Sequence, residues 1–148
     1  MMRVRAVVQS LAFVCFCLAP CFAHHTAVIV NKENPADNIA SAQLARMVRG
    51  EVKKWPDGRN ITLVMHRDWA GENETLARLN KMTIADWKLF LAAHKNSITF
   101  VETDADVIKA VQADPGAVGL IEVPSIDNSV NVVRVDGKLP MESGYLPH

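Results

Sequence analysis

A three-layer α/β fold, with a mostly parallel sheet and helices on both faces, is the architecture this sequence predicts. Short β-branched runs alternate with amphipathic helical patterns from Thr26 onward, the order that lays a parallel sheet between helices. The joints between them are short and carry caps, glycines and Pro-Gly pairs, so each pattern stops before the next begins. A chain of 148 residues, 49% of them hydrophobic, has enough apolar material for one core.

Taken in order, "TAVIVN" (Thr26–Asn31) is a β-branched run closed by the loop "KENPADN" and reads as a buried strand. "SAQLARMVRG" follows as a helix, with Ser41 as its cap, Leu44, Met47 and Val48 on one face, and Gly50 as its stop. "WPDG" (Trp55–Gly58) is a turn, and "NITLVMH" (Asn60–His66) the second strand. A helix is expected from Gly71 to about Lys81 and another around Thr83–His94. The strand "SITFVE" (Ser97–Glu102) precedes a helix over Asp104–Ala113 that Asp104 caps, and Pro115–Val123 and Val130–Gly137 close the chain as strands. Periodicity puts Leu44, Met47, Leu63, Trp87, Val107, Val111, Val118 and Val132 in the core. The glycines of "PGAVG" serve a tight turn and a close backbone approach, and no Lys-Ser/Thr follows to make a nucleotide loop.

Ahead of Thr26 the pattern is that of a secretory leader. Arg3 and Arg5 form a basic start, "AVVQSLAFVCFCL" an apolar stretch, and Cys21-Phe22-Ala23 a small-x-small cleavage site. The expectation is a signal peptide over 1–23 and one α/β domain over 24–148, exported to the periplasm or secreted. "LAPC" (Leu18–Cys21) loosely resembles a lipoprotein signal, but Pro20 stands where a small residue belongs. No stretch approaches the ~20 apolar residues of a membrane span. All three cysteines (Cys15, Cys17, Cys21) fall in the leader, so disulfides are not expected to hold the domain. The 16 basic and 16 acidic residues balance, and loss of Arg3 and Arg5 leaves a slight acidic excess. Nothing in that charge suggests binding to nucleic acid or to an anionic membrane surface.

"HRDWAGENETLARL" (His66–Leu79) runs from a strand end into a helix start. Such a turn offers free N–H groups and the positive end of the helix dipole to an anion. Yet this one already carries Glu72 and Glu74. They could simply favour their own helix N-terminus.

From Thr26 onward the chain resembles the phosphate-type periplasmic solute-binding proteins, in particular their short single-lobe members. The resemblance rests on the order and spacing of "VIVNKENP", "SAQLARMVRGEVKKWPDG" and "TDADVIKAVQADPGAVGLIEV". It implies one lobe of a type II periplasmic-binding-protein-like fold. It also implies that the turn that in phosphate binders carries a Gly-Ser-Gly-Thr-like sequence falls at Trp69-Ala70-Gly71-Glu72, where only Gly71 agrees. Ala70 brings no hydroxyl, and the Glu72 carboxylate opposes a phosphate. Two charges about 4 Å apart repel by ~1 kcal/mol in water and about 4 kcal/mol where partly shielded.

The candidate ligand-binding residues are therefore Asn31 at the end of the first strand and Arg67, Asp68, Trp69, Gly71, Glu72 and Asn73 in the turn. Trp69 serves either as a contact surface or in packing. No catalytic residue, cofactor or metal site is assigned: GxSxG, HExxH and paired cysteines are all missing. Asp68 or Glu72 beside Arg67 and His66 could make an acid–base cluster, but charged loop residues usually form a solvated rim. Cleavage after Ala23 would expose His24-His25 with an α-amine, a copper(II) ligand set, but His66, His94 and His148 show no spacing that completes a site. Two functions compete. One is a solute-binding component for a small anionic or polar solute, resembling a lobe of phosphate ABC-transporter binding proteins, with a degenerate cradle and weak or no phosphate binding. The other is an envelope interaction module that has lost solute binding and works through a protein partner or as a homodimer. A lone lobe cannot enclose 70–90% of a ligand as typical pockets do, which keeps the second alive.

Overall fold

The structure, a computed structural model, describes residues 25–148; the leader reading of residues 1–23 lies outside them. The strands are β1 (Thr26–Asn31), β2 (Asn38–Ile39), β3 (Thr62–His66), β4 (Ile98–Val101), β5 (Ala117–Glu122) and β6 (Val130–Val135). The α-helices are α1 (Ser41–Val48), α2 (Ala70–Leu79), α3 (Ile84–Ala93) and α4 (Asp104–Ala113). The strands form a single sheet in the order β2-β6-β1-β5-β3-β4. Among the described residues no helix is long and apolar enough to cross a membrane.

β1 takes a central place because all six of its residues are buried. It pairs antiparallel with both β5 and β6, while β2–β6, β3–β5 and β3–β4 are parallel pairs. Five strands thus run one way and β1 alone runs the other. The expectation of a mostly parallel sheet holds with that exception, whose cause is topological: β1 lies between β5 and β6, entered from the opposite edge. Alternation along each strand divides the core. Val28, Val30, Leu63, Met65, Val118 and Leu120 meet Leu44, Met47 and Val48 of α1, Leu76 and Ala77 of α2 and Trp87 of α3 on one face. Ile29, Val64, Ala117 and Ile121 meet Val107, Ile108 and Val111 of α4 on the other.

Seven of the eight expected core residues are buried. Val132 is only half-buried, on a strand whose outer neighbour β2 is two residues long. β2 itself has no periodicity to read. It lies where the sequence suggested loop, and forms because Arg134 N donates to Asp37 O (2.8 Å) and Asp136 N to Ile39 O (3.0 Å).

Two caps differ from expectation. Ala40, not Ser41, occupies the cap position of α1; Ser41 is the first helical residue and its amide donates to Asp136 Oδ1 at 2.9 Å. Thr103, not Asp104, caps α4, its hydroxyl accepting from Asp106 N at 3.1 Å. Thr103→Ala should therefore lower stability by about 0.5–2 kcal/mol, read as a shift in the urea midpoint. An unchanged midpoint would show that this cap is not made in solution.

The "PGAVG" glycines are required by contact. A Cβ on Gly116 would lie 1.9 Å from the Asn60 carbonyl oxygen, and one on Gly119 2.6 Å from Val107 Cγ1. Gly116 also gives its carbonyl to Trp55 Nε1 (2.9 Å), which fixes the "WPDG" turn against the sheet.

Candidate functional site

The carboxyl ends of β3, β4 and β5 lie together, facing the amino ends of α2 and α4, because these strands are parallel and each helix returns over the sheet. β3 ends at His66 and α2 begins at Ala70, so three residues must reverse the chain. Asp68 makes this possible by adopting φ 58°, a left-handed conformation that Asp tolerates better than most residues. The turn throws Trp69 back over the strand end, where its ring stands edge-on to His66 with centroids 4.7 Å apart. Gly71 lies directly beneath the indole; a Cβ there would be 3.3 Å from Trp69 Nε1.

Glu72 is the centre of this arrangement. It is 1% exposed and its side chain turns back into the strand end instead of outward. Its Oε2 accepts from His66 N at 2.8 Å, and Oε1 lies 3.4 Å from His66 Nδ1. On the far side of the ring, His66 Nε2 lies 2.7 Å from Asp104 Oδ1, and Asp104 Oδ2 accepts from Glu122 N at 3.0 Å. One imidazole held between two carboxylates thus ties β3 and β5 to the starts of α2 and α4.

Burial works against charging the His66 ring, but the hydrogen bonds and charges of Glu72 and Asp104 outweigh it and hold its pKa above the ordinary histidine value. Burial pushes the Glu72 carboxyl up, with the His66 bonds opposing. Both shifts mean that the folded state binds protons more tightly than the unfolded one. The His66 contribution is then full below an unperturbed imidazole pKa of ~6.5 and is lost as pH rises through the raised folded value, whereas the Glu72 contribution is full only below the ordinary carboxylate range and is lost as pH rises through its own raised value. The urea midpoint should fall between pH 6 and pH 8.5, and His66→Asn should flatten that slope. A midpoint that rises over this interval would contradict the charge assignment.

Chemically, both ring nitrogens are occupied by carboxylates, which leaves the imidazole suited to holding a proton and a turn rather than relaying one to a substrate. The three groups run in a line through the ring instead of converging, and among the described residues no set of three or more His, Cys, Asp or Glu side chains is arranged to hold a metal ion.

The expected site residues divide. Trp69, Gly71 and Glu72 are brought together with His66 and Asp104. Asp68 is exposed and serves as the turn residue. Arg67 is exposed at the rim, its Nε 3.0 Å from Glu102 Oε1, so its charge is directed along the β4 end. Asn73 is buried away from the turn, where its Oδ1 accepts from Trp87 Nε1 at 3.2 Å. Asn31 stands at the opposite end of the sheet, because β1 runs against its neighbours. There its Nδ2 donates to Val111 O (2.8 Å) and Gln112 O (3.0 Å) and its Oδ1 accepts from Glu33 N. Neither asparagine faces the cradle. Glu74 is exposed and takes no part.

Asp104 was not among the expected site residues, since an acidic residue at a helix start reads as a cap. Only the fold shows that it reaches His66. A cavity of about 450 Å³ opens elsewhere, between the ends of α1 and α3; Met47, Val52, Leu63, Phe90 and Ile98 line it, and no residue of the triad does.

A profile of the PBP superfamily domain matches residues 20–143. Among solved structures, the fold is similar to an ABC-type phosphate transport receptor from Vibrio cholerae (TM-score 0.64, 19% identity, covering 79% of this chain and 48% of that one). It is also similar to a putative phosphate ABC transporter substrate-binding protein with bound phosphate from Clostridium perfringens (0.65, 21%, 78% and 46%). A third is PstS from Borrelia burgdorferi (0.61, 19%, 79% and 49%). The chain spans about half the length of these proteins, as one lobe of them would.

Proposed function

Because the chain belongs to the PBP superfamily, we propose that it is an exported single-lobe binding protein that acts by binding rather than by chemistry, with an anion cradle filled from within by Glu72. The observation that carries this reading is the 2.8 Å bond from His66 N to the buried Glu72 carboxylate. A carboxylate already placed where strand end meets helix start takes the donor and the positive field that an external anion would use. Free phosphate then binds weakly or not at all, and any solute of this lobe is a small polar or anionic molecule held at the Trp69 turn.

The double change Ala70→Ser with Glu72→Thr tests the idea, because it removes one charge and adds two hydroxyls. Phosphate affinity that is absent from the native chain and weakens with salt is the expected result. Tighter phosphate binding by the native chain than by the variant would count against the proposal.

A protein–protein role at the envelope is the second reading, favoured by α3, where Leu89 is 70% and Ile84 38% exposed. Isolated exposed apolar residues are common, but two on one peripheral helix mark a contact surface worth testing. Self-association that Leu89→Glu abolishes, measured by sedimentation, would support it in its homodimer form; a monomer at high concentration would exclude that form.

A further inference from the structure

The two ends of the described chain meet beside β1. Val123 N donates to the His25 carbonyl at 2.9 Å, which fixes His25 next to the end of β5. From the other end, Tyr145 is buried; its hydroxyl accepts from Val28 N (3.0 Å) and donates to Val133 O (2.5 Å), and Leu146 is buried after it. The tail is thereby anchored, and it brings the His148 ring edge-on to His25, with centroids 5.9 Å apart and planes at 86°. His25 Nδ1 is buried and has no hydrogen-bond partner. A buried ring nitrogen without a partner is unfavourable unless something else satisfies it.

We propose that His25 and His148 form a binding site for a divalent transition-metal ion, copper(II) foremost and nickel(II) or zinc(II) after it. Neutral imidazole is the common protein ligand for these ions, and copper(II) stands highest in their affinity order. Two imidazoles bound to one ion through bonds of about 2.0–2.1 Å have ring centroids about 5–6 Å apart, a range that includes the 5.9 Å separation of His25 and His148. The unpartnered Nδ1 supplies a lone pair on His25, and His148 is exposed, which leaves an entry path. Water completes the coordination. Sequence spacing could not show the pair, because its members stand 123 residues apart and meet only through the Tyr145 anchor.

Titration of the untagged protein with copper(II) sulfate in a non-coordinating buffer, followed by calorimetry and electron paramagnetic resonance, tests the site. One equivalent should bind with nitrogen hyperfine structure. His25→Ala and His148→Ala should each weaken binding at least tenfold, while His94→Ala, an exposed imidazole after α3, leaves it unchanged. Circular dichroism of the variants checks that the fold is kept. Absence of saturable copper binding would overturn the proposal. So would an affinity that His148→Ala does not move, since the ion would then belong to the amino-terminal residues alone.

Discussion

Glu72→Ala should destabilise the protein by about 3–5 kcal/mol, the range for removing one member of a buried charged pair. The reason is not that the pair stabilises strongly as a whole. Attraction across the 3.4 Å between Glu72 Oε1 and His66 Nδ1 is about 5 kcal/mol at an effective dielectric constant of ~20. Burying the two charges costs several kcal/mol for each ion, which offsets most of that gain. What the truncation adds is a His66 amide and an imidazole Nδ1 that have lost their partner inside the fold, together with a cavity. Glu72→Gln keeps an oxygen for the His66 amide and should cost less than Glu72→Ala. Urea unfolding of the two variants side by side provides the check. Equal and small losses would mean that the carboxylate points outward in solution.

Trp87→Ala is expected to cost about 3–5 kcal/mol, as for other buried aromatic truncations. Trp87 is fully buried and is the one residue of α3 that is; its ring stacks on Phe90 at 5.5 Å and its Nε1 donates to Asn73 Oδ1. Truncation removes the anchor that holds α3 on α2 and strands the Asn73 carbonyl. Leu89→Ala on the same helix should change stability by less than about 0.5 kcal/mol, since surface substitutions usually do. The contrast is readable from thermal unfolding of both variants. Similar midpoints for the two would mean that α3 is not packed as described.

The strands and helices were legible because each carries its own local signal. Thr26–Asn31 and Asp104–Ala113 lie where hydrophobic periodicity and flanking turns put them, and "PGAVG" is glycine-rich for the close approach that the Asn60 carbonyl and Val107 enforce. The reversed direction of β1 carries no such signal, as strand patterns are the same in either direction. That is also why Asn31 read as a neighbour of the cradle: a strand end was taken for the same edge as the others. Asn73 was misplaced by one helical face, since its position in the first turn of α2 aims it at α3 and not at the turn above. Glu72 was legible as an opposing charge, but its two bonds to His66 depend on the tight reversal at Asp68, and the reach of Asp104 on contact between elements far apart in the sequence. The same holds for His25 and His148.

The central claim is that the cradle is occupied by the protein's own carboxylate. Calorimetric titration of the native protein with inorganic phosphate at neutral pH tests it most directly. The account predicts no saturable heat at micromolar phosphate. Saturation with a micromolar dissociation constant, about −8 kcal/mol, would contradict it by showing that an external anion takes the place assigned to Glu72.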